Sequence, residues 1–301
     1  SSYPFCLCAF PDYPVSGFTA LDKDVGPDYI LRNSKKYAFM FKISFINIRL
    51  KDRFYPMPAL QASKCEQSIN MRKDNGRIVS AGYVTLYMNE IDLEVIEHIY
   101  TWDECRCTEV QAANKGYLPR WFTDYVYELY EAKCKMKPLS KEDPVGYALS
   151  KARVNSVYGL TVQACVRENY LEVTEPGEYK INAEGDTAFY TSGEYRIDYD
   201  QDLKKEYEKY LKSPNTVMSY TVGVWCTALA FRNLFRLGEC VNFYYEGDKL
   251  AYPPHWLYSD TDSCYSSDWN EEAVAQYNEN CKKLLQANGY GAVKVGDKEY
   301  W

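Results

Sequence analysis

The sequence predicts an α+β fold, and three observations carry that expectation. Period-2 alternation of apolar and polar residues marks strands in the N-terminal third. Helical periodicity marks several later segments, and the two kinds of element do not alternate regularly enough for a doubly wound parallel sheet. Residues 38–50, AFMFKISFINIRL, set Phe39, Phe41, Ile43 and Phe45 against Lys42 and Ser44, so they read as a strand. Residues 82–88, GYVTLYM, form a second strand running into Asn89, whose side chain can cap a helix with Asp92 at its third position. Pro119 is expected as the first residue of a helix through Met136, with rows Trp121/Tyr125/Leu129 and Phe122/Val126/Tyr130. A second helix is expected from Pro144 to about Gly159. Residues 161–217 read as irregular and β-rich, with turns at Pro176-Gly177, Gly185-Asp186 and Ser192-Gly193. A helix follows over about 222–237, ending at Gly238. The stretch 256–266, WLYSDTDSCYS, flanks an acidic centre with β-formers and predicts a tight hairpin. A last helix over about 270–287 stops at Asn288-Gly289.

Composition narrows the function classes. Among 301 residues, 30 Tyr, 12 Phe and 6 Trp supply enough apolar surface for a core, which excludes a disordered chain. No run of 18 apolar residues exists, so no membrane partner is expected. The 11 Cys are scattered without a C-x-x-C pair, and His98 and His255 lie far apart, so zinc-site spacing is absent. Scattered thiols of this kind fit a reduced, cytoplasmic protein. The net charge of −7 argues against bulk adhesion to nucleic acid, but its distribution is uneven. Arg32–Arg53 carries seven bases against one acid, and Lys133–Arg153 six against two, whereas 167–208 holds twelve acids.

Two clusters carry chemistry. In Tyr258-Ser259-Asp260-Thr261-Asp262-Ser263 two carboxylates sit two residues apart at the expected hairpin tip, where they repel each other unless a cation is bound. Oxygen-only ligands suit Mg²⁺, which completes its shell with water and phosphate oxygens. An exposed acidic turn has the same composition. In the second cluster Tyr147, Lys151, Asn155 and Tyr158 are spaced by four, four and three and so share one helix face. A base, an amide and a ring on one stripe suit a ligand with phosphate at one end and a flat base at the other. A solvated helix face with a half-buried Tyr is the plainer reading.

Together these residues lose their ambiguity. KARVNSVYG over 151–159 resembles the K-x-x-x-N-S-x-Y-G motif of family B DNA polymerases. YSDTDS over 258–263 is similar to their Y-x-D-T-D-S motif. The opening Ser1-Ser2-Tyr3-Pro4 looks like the end of D-x-x-S-L-Y-P, with Ser2 in the Leu place. The three follow in the family's order, and the strand and helix over 83–96 resemble the insertion of the protein-primed subgroup. The resemblance implies an antiparallel-sheet palm with helical fingers and two small β-rich insertions. It divides the chain into palm (1–10), first insertion (11–116), fingers (117–162), second insertion (163–215) and palm with the hairpin (216–301). It also implies template-directed transfer of dNMP from a dNTP to a primer 3′-OH, by a virus- or mobile-element-encoded enzyme.

By that resemblance Asp262 would be the principal ligand of two Mg²⁺ ions, for which Mn²⁺ could substitute, and Asp260 a secondary one. Lys151 would hold the triphosphate, assisted by Asn155, and Tyr158 would lie against the incoming base pair. Ser1 and Ser2 would contact the triphosphate, and Tyr3 would stack under the deoxyribose and exclude a 2′-hydroxyl. Primer–template DNA, dNTPs and a priming (terminal) protein are the implied partners. The family's first metal-binding Asp would precede Ser1, and its K-x-Y motif would follow Trp301. The expectation is therefore an internal piece of a polymerase, inactive or nearly so alone. A non-catalytic nucleic-acid- or terminal-protein-binding remnant shares these features. A phosphatase of the haloacid dehalogenase type would use Asp260 as nucleophile and Asp262 as acid/base, but it calls for an α/β fold.

Overall fold

In the computed structural model the alternating segment at 38–50 becomes the longest strand of an eight-stranded sheet. The structure describes residues 2–21, 25–51, 57–163, 166, 168–182, 185–213, 220–247, 249–251, 255–260 and 263–301. The chain divides into two compact units, one of Ser1–Gly159 with Thr221–Trp301 and one of Leu160–Tyr220.

The first unit opens with helix α1 (Tyr3–Ala9), strands β1 (Tyr13–Pro14) and β2 (Thr19–Ala20), and helix α2 (Pro27–Asn33). Then come β3 (Tyr37–Leu50), β4 (Cys65–Ile69), β5 (Arg72–Asp74), β6 (Arg77–Asn89), helix α3 (Glu90–Ile99), β7 (Tyr100–Thr101) and β8 (Glu104–Gly116). The sheet order is β1-β8-β3-β6-β4, with β2 on β8, β5 on β6 and β7 on β3. Alternation along β3 buries Phe39, Phe41, Ile43 and Phe45 on one face. Ile78, Val84, Leu86 and Met88 of β6 join them, as do Leu93, Ile96 and Ile99 of α3. Each such side chain contributes about 1.5–3 kcal/mol by leaving water. Asn89 caps α3 as its sequence predicts, accepting hydrogen bonds from the amides of Ile91 and Asp92.

The first unit continues with helix α4 (Arg120–Met136) and helix α5 (Pro144–Thr161), whose last two residues belong to the second unit. Pro119 is the N-cap of α4 rather than its first residue. Phe122 and Val126 face inward, whereas Trp121 and Tyr125 are exposed, so only one of the two aromatic rows belongs to the core.

In the second unit β9 (Tyr170–Glu172) pairs with β12 (Tyr195–Ile197), and β10 (Gly177–Lys180) with β11 (Thr187–Tyr190). The β-rich expectation there is met, with one correction. Residues Leu203–Lys212 form helix α6, whose start is fixed by Asp202 accepting from the Lys205 amide.

Returning to the first unit, α7 (Tyr220–Gly238) leads to the short ribbon β13 (Tyr245–Glu246) and β14 (Lys249–Leu250). It is followed by the hairpin β15 (Trp256–Asp260) and β16 (Ser263–Ser266), helix α8 (Glu271–Ala287), and the ribbon β17 (Val293–Val295) and β18 (Lys298–Tyr300). Gly289, at φ +79°, closes α8 in the left-handed conformation that glycine adopts without strain. Phe235 of α7 and Trp256 of β15 belong to the same apolar cluster as the large sheet.

The architecture is α+β, and every described strand pair is antiparallel. That ordering excludes the parallel sheet the phosphatase alternative calls for. Among the described residues no helix is long and apolar enough to cross a membrane. The ten described cysteines are free, and six of them are buried.

Candidate active site

The opening motif runs directly into helix α1. Pro4, with its fixed φ, sits in the first turn of α1, and Tyr3 is the first helical residue. Cys6, Leu7, Cys8 and Ala9 bury the helix in the body of the unit. The Asn288 side chain donates to the Cys8 carbonyl at 2.7 Å, and Tyr13 Oη donates to the Cys6 carbonyl at 3.0 Å. Tyr3 is thereby held at the start of an anchored helix.

The Tyr3 ring lies flat on the ring of Tyr158, with centroids 3.7 Å apart and planes 2° from parallel. Burial, and Tyr158 beside it, push the Tyr3 hydroxyl up to about 12, so it stays a neutral phenol at physiological pH. Tyr158 comes from α5, where Val154 and Val157 are buried while Lys151 and Asn155 are exposed. Lys151, Asn155 and Tyr158 therefore form a stripe along one helix face, running from the stacked rings out to solvent.

Helix α7 holds this pair in place. Thr227 Oγ1 donates to the Gly223 carbonyl at 2.8 Å and lies 2.8 Å from Tyr158 Oη. A hydroxyl has one proton, so the Tyr158 phenol must be the donor to Thr227. The neighbouring Cys226 thiol reaches the Tyr3 carbonyl at 3.9 Å. Trp225, fully buried, donates from Nε1 to Glu90 Oε1 at 3.0 Å. Three consecutive residues of one helix thus contact α5, α1 and the start of α3.

An ion network, buried at Glu90 and Lys115 and half-exposed at Glu94 and Arg236, fixes α7 against the sheet. Glu90 accepts from the Phe39 amide at 2.7 Å and pairs with Lys115 at 2.8 Å. Lys115 also pairs with Asp12, and Arg232 of α7 bridges Asp12 and Glu94. Arg236 completes the set on Glu94 at 2.8 Å. Burial raises the Glu90 carboxyl above its usual range, with Lys115 opposing the shift.

The C-terminal end of α7 carries the acidic hairpin. An added Cβ at Gly238 would lie 2.4 Å from the Trp256 indole, so the helix end and the first residue of β15 touch backbone to ring. Phe235 meets Trp256 edge-on at 5.2 Å, and the Cys264 thiol reaches the Leu234 carbonyl at 3.7 Å. The hairpin register sets Asp260 opposite Ser263, whose hydroxyl donates to the Asp260 carbonyl at 3.1 Å. Asp260 is exposed at the tip. Ser1 and Asp262 lie outside the described residues, and among the described residues no cluster of three potential ligands forms. Ser2 Oγ is buried without a hydrogen-bond partner. Beside it opens a cavity of about 400 Å³, lined by Ser2, Phe5, Asn233, Tyr277, Lys282 and Trp301 among others.

The sequence alone marked Gly238 only as a helix end and did not single out Thr227 or Trp225. Their helix was legible, but the contacts of Trp225 and Thr227 are tertiary and leave no spacing pattern in the sequence.

No protein-family model matches the chain, and no curated protein matches it either. Among solved structures it is similar to phi29 DNA polymerase in complex with primer-template DNA and incoming nucleotide substrates. The identity there is 17% and the TM-score 0.47, over 79% of this chain and 34% of that one. It is similar also to the post-translocation binary complex of that polymerase with primer-template DNA. There the identity is 18% and the TM-score 0.49, over 88% of this chain and 36% of that one. The chain thus spans about a third of the length of the solved polymerase chains it matches.

Proposed function

We propose that this chain supplies the nucleotide-selecting part of a DNA-directed DNA polymerase of the protein-primed family B type. The observation that carries the reading is the Tyr3–Tyr158 stack. Residues 155 positions apart in sequence, belonging to two different motifs of one family, meet ring on ring, and the helix that holds them also supports the third motif's hairpin.

In this reading Tyr3 would lie under the deoxyribose of the incoming dNTP and leave no room for a 2′-hydroxyl. Tyr158 would lie against the nascent base pair. Lys151 and Asn155, further along the same face of α5, would hold the triphosphate, and Ser1 and Ser2 would meet it through hydroxyl and amide groups. Asp260, at the end of β15, and Asp262, two residues on in sequence, offer only oxygen donors, a donor set suited to Mg²⁺ or Mn²⁺. Two such ions, when bound, would lower the pKa of the primer 3′-OH and balance charge on the phosphates. The chain's own contribution is to select and orient the nucleotide, with pre-formed rings replacing solvent around the sugar and base. The eight-stranded sheet would be the first insertion of the palm and the unit of residues 160–220 the second, while α4 and α5 would form the fingers. The partners would be primer–template DNA, dNTPs and a priming protein.

Formation of a nucleotide-selective ternary complex tests this without turnover. A fluorescent primer–template with a dideoxy-terminated primer is titrated with the chain in Mg²⁺, with each dNTP present in turn. The reading predicts that the dNTP complementary to the template tightens DNA binding by about fivefold or more over the other three, roughly 1 kcal/mol of preference. Equal binding with all four dNTPs would overturn it.

A further inference from the structure

The small unit of residues 160–220 has an open aromatic face outside the candidate active site. The strand pair β9–β12 is a two-stranded ribbon, with Tyr170 opposite Ile197 and Tyr195 opposite Glu172. Directly opposed residues share a face, so Tyr170, Glu172, Tyr195 and Ile197 all lie on one side. The other side is only partly covered within the unit, since Leu171 there is 39% exposed. Arg196 sits over the Tyr179 ring of β10 at 4.6 Å, and the neighbouring Val173 is buried. On the open side Tyr170 is 62% and Tyr195 64% exposed, and Glu172, directly opposite Tyr195, is exposed as well.

Tyr170 and Tyr195 are diagonal neighbours, and diagonal pairs on such a ribbon stand about 7–8 Å apart. That spacing admits one flat guanidinium or one ammonium between two ring faces, with the Glu172 carboxylate beside it to accept its hydrogen bonds. The surrounding charge agrees. Residues 160–220 hold twelve acids against seven bases, so this unit carries most of the chain's net charge of −7. Two of the bases are already engaged, Arg196 on Tyr179 and Lys209 on Glu206. Phosphate-bearing partners would be repelled from such a face, whereas cationic ones would be drawn to it.

We propose that the Tyr170–Glu172–Tyr195 face docks an arginine- or lysine-rich segment of a partner protein. Cation–π contact with both rings gives specificity, and the acidic surround accelerates encounter. The inference does not depend on the polymerase reading, because it uses no residue of the candidate active site.

The test titrates the full chain into a fluorescein-labelled arginine–glycine repeat peptide of about twelve residues and reads anisotropy, with the all-citrulline peptide as the uncharged control. The expected result is saturable binding of the arginine peptide alone. The Tyr170→Ser/Tyr195→Ser double variant should weaken it by about tenfold. Glu172→Arg, which keeps both rings, should weaken it to a similar degree. Both variants are on exposed positions, so melting of the chain should be unchanged. Equal affinity of the parent chain and both variants would overturn the proposal, because bulk charge would then suffice. So would tight binding of an oligothymidylate of similar length that is lost in the same variants, since the face would then be a stacking platform for single-stranded nucleic acid.

Discussion

The ring of Tyr3 rests on the ring of Tyr158 at 3.7 Å and within 2° of parallel, although one opens α1 and the other ends a turn of α5. At that separation the rings lie nearly face to face, an arrangement less favoured than offset or edge-to-face pairs, so the contact rests on the apolar area it buries. A nucleotide that enters between α1 and α5 must therefore use or displace this contact, which makes the pair the most direct handle on the site.

Tyr3→Val tests sugar selection. If the Tyr3 ring excludes a 2′-hydroxyl, the parent chain should prefer dATP to ATP, and the valine variant should narrow that preference by roughly ten- to a hundredfold. Competition of unlabelled dATP and ATP against a fluorescent dATP analogue reads the ratio. An unchanged ratio would remove Tyr3 from the sugar subsite.

Thr227 should act through Tyr158. Thr227→Val deletes the acceptor of the Tyr158 phenol and leaves that hydroxyl half-buried, costing about 1 kcal/mol in stability. Near-UV circular dichroism should report a looser tyrosine environment, and dATP affinity should fall several-fold. Thr227→Ser, which keeps the hydroxyl, should restore both. A serine variant that behaves like valine would mean that Thr227 matters only for packing.

Gly238 ties the acidic hairpin to α7. Gly238→Ala drives a methyl into the Trp256 indole and should cost about 1–3 kcal/mol by overpacking. The urea midpoint measures the loss, and quenching of tryptophan fluorescence should show Trp256 moving outward. A neutral alanine variant would show that the helix–hairpin contact is slack.

The Glu94 carboxylate makes the fold acid-sensitive. Burial alone would raise its pKa, but Arg232 and Arg236 outweigh burial and hold it below the ordinary value near 4.5. Between the folded and unfolded pKa values the unfolded chain binds the extra proton, so stability rises with pH through that window. The contribution is fully present above about the ordinary value and is lost as pH falls through the lower folded one. Glu94→Gln should flatten the acid limb of a stability–pH curve measured in urea. A limb of unchanged steepness would place the acid sensitivity elsewhere.

Much of this was legible in the sequence because the physics involved is local. Alternation in 38–50 made β3, the Asn89 cap made the start of α3, and Asn288-Gly289 made the end of α8. The hairpin around Asp260 followed from β-formers flanking an acidic turn. Where sequence reasoning failed, a local cue was outvoted or overlooked. Pro4 in a first turn makes a helix of the opening motif, and Asp202 starts a helix inside a region read as β-rich. The lysine–asparagine–tyrosine stripe of α5 was visible as spacing. The partner of its tyrosine was not, because Thr227 is joined to Tyr158 only through tertiary packing. The ion network from Asp12 to Arg236 escaped notice for the same reason: its members are scattered over more than two hundred residues.

The account stands on nucleotide recognition by the α5 stripe and the stacked tyrosines, and equilibrium binding of a fluorescent dATP analogue in Mg²⁺ measures that directly. The account predicts saturable binding that Lys151→Ala weakens by about tenfold, as expected for loss of a charge-assisted phosphate contact, and that Tyr158→Ser weakens to a similar degree. Absence of saturable binding, or binding indifferent to both substitutions, would contradict it.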